Sequence, residues 1–361
     1  MKEIKTVDAV GHVLCHDVTR IVRGVTKGAA FSKGHVVTEA DISLLLSMGK
    51  ENLFVWETRE GMLHENEAAE ILYDICADEN MHPSDIKEGK IEIIAACDGF
   101  FSVDTKRLYE INTLGELIVS TRPGGVYVRK GDKLAGTRAI PLVISEEKMN
   151  KAKSIAKNEP LLSIHPLKLK KAAVFSIGSE VYKKYIEDTF TSVIEEKLAE
   201  YGVHVTQKAI YPDNPEIITK GILSAVSGGA ELIICAGGMS VDPDDRTPLA
   251  IKNTGASIIC YGIPVLPGSM LMLGYYTRIG NPKAEIEQIE SSDHKSEKCI
   301  PIVGLPACAM YGKRTIFDIL LPKLLADIRI SNTELAAMGY GGFCLDCGNC
   351  VFPNCGFGKG V

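Results

Sequence analysis

Residues 235–248 read CAGGMSVDPDDRTP: an apolar run ends in two glycines, and Asp242, Asp244 and Asp245 follow within four positions, beside Pro243 and Pro248. Carboxylates this close repel one another, and the prolines discourage a helix that would spread them. Glycines let a backbone approach a ligand closely and offer amides to an anion, whereas the acids would repel one. A divalent cation bridging carboxylate to phosphate reconciles the two, and Mg²⁺ does so with one or two carboxylates plus substrate oxygens. The stretch is therefore read as a metal site facing a phosphorylated ligand. Blander roles compete: a Gly-Gly pair after a strand is commonly only a turn, and Asp244 or Asp245 would serve as the cap of a helix starting near Thr247.

A second constellation closes the chain. FCLDCGNCVFPNCGFGKG places Cys344, Cys347, Cys350 and Cys355 within a dozen positions, after Gly339, Gly341 and Gly342. Two consecutive C-x-x-C spacings suit a thiolate metal centre, either zinc or an iron–sulfur cluster. The gap to Cys355 is one residue longer than the bacterial ferredoxin run, and no proline follows it. The competing reading is a flexible tail of reduced thiols. His12, His16, His35, His64 and His82 show no metal-ligand spacing and are read as surface or turn residues.

The elements that must position these groups alternate from about Ala172 onward. AAVFSIG, HVTQKAIYPD, ELIICAGG, ASIICYGIPVLPG and CIPIVGLP read as strands; helical patterns run over 181–198, 215–226 and 310–328. Strands alternating with helices predict a doubly wound, mostly parallel α/β sheet over 166–330. In such sheets ligands bind beyond the carboxyl ends of the strands. Those ends carry Gly178-Ser179-Glu180, Asp213-Asn214, Gly237 through Asp245, and Gly304-Leu305-Pro306. Upstream, frequent glycines and short apolar runs predict a small β-rich module over 1–62, with one helix near 40–48. A helical segment and a second β-rich module follow over 63–150, with a turn at 122–125. The polar stretch 281–298 is expected to be a surface loop between strands, and 339–361 a metal-binding tail.

Bulk properties narrow the ligand. With 361 residues, 45% hydrophobic and 24% charged, the chain is long enough for several globular domains. A formal charge of −6 offers no basic field for nucleic acid. The first dozen residues mix charges without the apolar core of a signal peptide, and no run of about 18 apolar residues would span a membrane. The chain is expected to be cytoplasmic, in keeping with its scattered thiols.

From about Lys170 to Ala326 the chain resembles the molybdopterin-binding domain shared by molybdopterin adenylyltransferase and molybdopterin molybdenumtransferase. The residues that carry the resemblance are SIGSEV, YPDN, GGMSVDPDDRTP, VLPGSM and GLPACAMYG, in the family's order. The resemblance implies a role in molybdenum cofactor metabolism, with Asp213 and Asp245 handling Mg²⁺ or molybdate at the pterin phosphate. It implies ligand contacts from Gly178, Ser179 and Glu180, from Gly237, Gly238, Met239 and Ser240, from Pro267, Gly268 and Ser269, and from Gly304, Leu305 and Pro306. More weakly, AACDGFFSV is similar to the transferase's SAMDGYAV and makes Asp98 a candidate catalytic acid; a plain turn at Asp-Gly is the alternative. An acid in a separate module implies a homodimer whose sites are completed across subunits. The chain departs from the transferase at Ser179, usually Asp, and at Ala307-Cys308, usually Gly-Asn. The cysteine tail lies outside the family pattern and suggests a redox role or docking to a molybdoenzyme. Three functions follow: insertion of molybdate into adenylylated molybdopterin with Mg²⁺, a non-catalytic carrier of molybdopterin, or a nucleotide pyrophosphatase of the related competence-damage-inducible type.

Overall fold

A computed structural model describes residues 2–22, 26–55, 61–277 and 299–360. The polar stretch 281–298 lies outside the described residues. The chain divides into two compact units, one of 1–97, 102–122 and 129–164, the other of 98–101, 123–128 and 165–361.

The first unit is β-rich, as its glycine spacing predicts. Its largest sheet is antiparallel, in the order Met81–Pro83, Lys90–Ala95, Lys133–Ala139, Leu117–Thr121. Lys90–Ala95 reads KIEIIA and buries every second side chain, the period of a half-covered strand. Helices Glu39–Ser47 and Glu65–Cys76 fall where the sequence puts them, and a third helix runs over Glu146–Ala156. Thr105–Asn112 was not legible as a helix; it starts because Asp104 accepts a hydrogen bond from the Arg107 N–H, as an N-cap.

In the second unit, the strands of its main sheet, whose elements alone are numbered here, are β1 (Lys171–Ile177), β2 (His204–Tyr211), β3 (Leu232–Ala236), β4 (Ser257–Tyr261), β5 (Met272–Thr277) and β6 (Cys299–Leu305). They form one sheet in the order β2-β1-β3-β6-β5-β4. The pairs β1–β2, β1–β3 and β3–β6 are parallel; β5 is antiparallel to both β4 and β6. Periodicity missed β5, whose MLGYYT has no polar alternation because four of its residues are buried.

The helices are α1 (Ser179–Tyr182), α2 (Phe190–Ala199), α3 (Pro215–Ser227), α4 (Thr247–Asn253), α5 (Cys308–Tyr311), α6 (Ile316–Leu325) and α7 (Asn332–Ala337). Ile194 and Leu198 of α2 and Phe317, Leu320 and Leu324 of α6 pack on one face of the sheet. Ile218 and Ile222 of α3 and Ile251 of α4 pack on the other. Both faces are thus covered, which explains why β3 reads as an unbroken apolar run with all five residues buried.

The cysteine-rich segment belongs to this unit's core. Phe357 is only 5% exposed and joins the cluster of α2 and α6, and Cys344, Phe352 and Cys355 pack against it. Among the described residues no helix is long and apolar enough to cross a membrane.

Candidate functional site at the strand ends

The carboxyl ends of β2, β1, β3 and β6 are stitched into a row. Gly178 N–H donates to Tyr211 O at 3.1 Å, and Gly237 N–H donates to Leu305 O at 3.0 Å. Gly237 has φ +99°, and a Cβ there would stand 2.1 Å from Ile177 O, so only glycine lets β3 close against β1 at this point. Gly238 follows with φ +60°; a Cβ on it would meet Thr247 Oγ1 at 2.7 Å and Asp213 Oδ1 at 3.4 Å.

Asp213 sits in that crease. Its Oδ2 accepts the Ser179 N–H at 2.7 Å, and its own N–H donates to Ser179 Oγ at 3.4 Å. The carboxylate therefore secures the start of α1. A carboxylate has about four lone-pair sites, so one such bond leaves capacity toward Gly238 and beyond. Glu180 folds back, placing Oε1 2.9 Å from where a Gly178 Cβ would lie.

Thr247 was not picked out from the sequence, yet it holds the glycine turn. It is fully buried, its Oγ1 donates to Gly237 O at 2.8 Å, and its N–H donates to Gly238 O at 3.2 Å. The available signal was a Thr-Pro pair opening a helix directly after the acidic run. Tyr261 was missed too. Its hydroxyl donates to Met239 O at 2.9 Å and Ser240 O at 3.2 Å, pinning the loop from the end of β4. Burial, and then the nearby Asp245 carboxylate, push its phenol pKa up.

The acidic run makes a tight turn of its own: Asp245 N–H donates to Asp242 O at 2.9 Å, and Asp244 N–H to Asp242 Oδ1 at 3.3 Å. Asp242 and Asp244 are exposed and Asp245 is half-buried. The helix does begin at Thr247, but its N-cap residue is Arg246, so neither Asp244 nor Asp245 caps it. Met239 is buried against Gly304, where a Cβ would lie 2.6 Å from its sulfur.

The Pro267-Gly268-Ser269 loop meets the loop after β6. A Cβ on Gly312 would be 3.2 Å from Pro267 Cγ, and one on Gly268, with φ +115°, would be 2.4 Å from Ile316 Cγ2. Burial pushes the Cys308 thiol up, opposed by its own N–H and that of Gly268.

Asp98 is not gathered with these residues within the chain. It is exposed, and its Oδ2 accepts from Tyr127 Oη at 3.2 Å. The Tyr127 ring stands edge-on to Tyr201, with centroids 5.0 Å apart. Tyr201 lies between α2 and the start of β2, at the amino edge of the sheet, opposite Asp213 and Asp245. Nor is Asp98-Gly99 a hairpin turn, since Lys90–Ala95 and Gly99–Val103 belong to different sheets.

Among the described residues, no three His, Cys, Asp or Glu side chains are grouped as ligands of one metal ion would be. Asp213 follows β2 and approaches Gly238, and Asp245 lies in the loop after β3.

One histidine departs from the surface reading. His64, 2% exposed, caps helix Glu65–Cys76 and is within 2.7 Å of Cys15 O through Nε2. Its Nδ1 lies 3.1 Å from the Asn66 N–H, which donates to it, and 3.0 Å from Lys33 Nζ. Nδ1 is thus the acceptor and Nε2–H the donor, the arrangement of a neutral ring.

Residues 173–326 match the family model described as "Probable molybdopterin binding domain". Residues 3–57 match one described as "Domain of unknown function (DUF8806)". A "CinA-like protein" of Fervidobacterium nodosum is 33% identical over 86 residues, 24% of this chain and 21% of that protein. A "Molybdenum cofactor biosynthesis bifunctional protein" of Synechococcus elongatus is 31% identical over 85 residues, 24% of this chain and 27% of that one. The chain thus spans only about a quarter of the length of either relative. The molybdopterin biosynthesis enzyme MoaB of Thermus thermophilus aligns over 44% of this chain and 98% of its own, at 19% identity and a TM-score of 0.28, too low to bear on the site. The row of strand ends therefore lies within residues 173–326, the stretch that matches the model of the probable molybdopterin-binding domain.

Proposed function

We propose that this unit binds adenylylated molybdopterin across the ends of β1, β3 and β6 and inserts molybdate into it with Mg²⁺, releasing AMP. The observation that supports this reading is the pairing of a closed glycine turn with two carboxylates. Gly237 and Gly238 bring backbone close to a ligand, with Asp213 against Gly238 and Asp245 near Tyr261 in the loop that follows. Asp213 and Asp245 would hold Mg²⁺, which when bound neutralises phosphate charge. Thr247 and Tyr261 keep the loop in place by bonding its carbonyls, and Asp213 orders the loop after β1.

The test is to incubate the full chain with adenylylated molybdopterin, Mg²⁺ and molybdate, and to assay AMP and active cofactor. Molybdate-dependent AMP release is expected. Asp245→Asn should weaken the Mg²⁺ dependence by about 10–100-fold, as other changes around bound metals do, while leaving the thermal midpoint in place. Tight pterin binding without AMP release would favour a carrier. The substitutions at Ser179 and Ala307-Cys308 favour that carrier or insertion chaperone. GGMSVDPDDRTP, with paired acids before a Thr, and the CinA-like relative support one further reading, a nucleotide pyrophosphatase. That reading requires nucleotide cleavage without molybdate.

A further inference from the structure

The segment after α7 has almost no regular structure, yet its course is closely defined. Gly358 N–H donates to Gly341 O at 3.0 Å, closing residues 343–357 into a loop at its neck. A Cβ on Gly360 would stand 1.5 Å from Tyr340 O, and one on Gly342 2.4 Å from Met338 O, so the neck is passable only to glycine. Phe357 roots the loop in the core, with the Phe352 ring 6.2 Å away and Arg314 stacked over Phe352 at 5.4 Å. Two backbone bonds join the segment to the sheet unit, Leu266 N–H to Gly342 O and Cys344 N–H to Leu266 O, both 2.8 Å.

All four cysteines of this loop, Cys344, Cys347, Cys350 and Cys355, line one cavity of about 130 Å³. They are unoxidised, and the walls between them are largely apolar, from Phe343, Val351 and Phe357. A loop of this length with one buried aromatic has little core of its own and commonly needs a covalent or metal staple. Gathering four thiolates around one space, with Cys344 and Cys355 half-buried and Cys347 and Cys350 exposed, calls for countercharge. Lys313 and Arg314 both line the cavity, although Asp346 does as well. Lys313 Nζ donates to the carbonyls of Cys347 and Gly348 at 3.3 and 3.4 Å. Arg314 is shared with Asp318 and Glu200.

The size of the cavity separates the two candidate occupants. One zinc ion with Zn–S bonds of about 2.3 Å draws its sulfurs to within about 3.8 Å of each other. The thiols here stand around a space of about 130 Å³ and do not converge as ligands of one ion. A single water occupies only about 30 Å³, so the space suits an object of several atoms. We infer that Cys344, Cys347, Cys350 and Cys355 hold a four-iron iron–sulfur cluster, seated directly behind the loop that carries Pro267, Gly268 and Ser269. Each thiol gives its proton to solvent as its sulfur bonds to iron, and no oxidation of the protein is involved. This inference does not depend on which reaction the strand ends support.

The experiment is anaerobic reconstitution of the full chain with equal amounts of ferrous and ferric iron and with sulfide, so that two ferric and two ferrous ions supply the oxidised cluster, followed by desalting. About four iron and four sulfide per chain are expected, with broad visible absorbance that bleaches on dithionite reduction. Cys347→Ser and Cys350→Ser should each lose most of the bound iron, while Cys299→Ser, outside the cavity, should retain it. A second readout protects the test against variants that fail to fold: in the reconstituted wild-type chain the four tail thiols should resist alkylation. Retention of one zinc and no iron, or alkylation of all four thiols as fast as in the untreated chain, would overturn the inference.

Discussion

Replacing Gly237 by alanine tests the central claim about how the strand ends are assembled. Two costs arise there. The backbone at φ +99° lies where an L side chain is strained, a penalty of about 1–2 kcal/mol. The new Cβ would also fall 2.1 Å from Ile177 O, a carbonyl on a central strand that cannot swing aside. Forcing atoms into a packed site costs about 1–3 kcal/mol more. The sum is about 2–5 kcal/mol, a large share of the about 5–15 kcal/mol that holds a domain folded. Gly255 supplies the internal control: its φ is +83°, but a Cβ there would meet nothing within 4 Å. Gly255→Ala should therefore show only the backbone cost, about 1–2 kcal/mol. Urea unfolding of both variants gives the difference directly. Equal destabilisation of the two would refute the argument that β1 and β3 close so tightly that only glycine fits, and with it the geometry of the proposed site.

Three further outcomes are expected. Phe357→Ala should cost about 3–5 kcal/mol in urea unfolding, because Phe357 is part of the α2 and α6 core; for the same reason, removing 340–361 should destabilise the sheet unit, and a cost under about 1 kcal/mol would place the segment outside the core. Burial holds the pKa of His64 below the usual histidine value, so the unfolded chain takes up the proton first as pH falls. The stability His64 contributes is complete above about pH 6.5 and declines below it, by at most about 1.4 kcal/mol per pH unit. Thermal midpoints should therefore drop between about pH 7.5 and about pH 5.5 in the wild type and less in His64→Gln; identical slopes would remove His64 as the cause. Asp98 bonds Tyr127, whose ring meets Tyr201 just before the start of β2, away from Asp213 at its carboxyl end, so a part in catalysis would have to come from a second copy. Mixing Asp98→Asn with Asp245→Asn chains should then restore part of the activity, and no recovery from a mixture shown to form heterodimers would exclude Asp98.

The alternation of apolar runs and helical periods was enough to identify a doubly wound sheet, because strands buried on both faces leave long apolar words such as ELIICAGG. The glycine turn and its acids were legible for a local reason: few uses of a chain place two glycines beside three carboxylates. The four cysteines stood out by spacing alone. Other features depend on residues far apart in sequence. Strand β5 hid because burial on both faces erased its alternation, and only pairing with β4 and β6 shows it to be antiparallel. Thr247 and Tyr261 gained their roles when folding brought them to the carbonyls of Gly237, Met239 and Ser240. His64 became a buried cap through contact with Cys15, 49 residues away. Asp98 carried a suggestive local motif, and folding set it beside Tyr127 and Tyr201 and away from Asp213, because a motif records neighbours along the chain and a site is made of neighbours in space. The cysteine segment shows the same division. Its four cysteines stood out in the spacing, whereas its union with the core through Phe357, and the cavity its thiols share, were decided by tertiary packing.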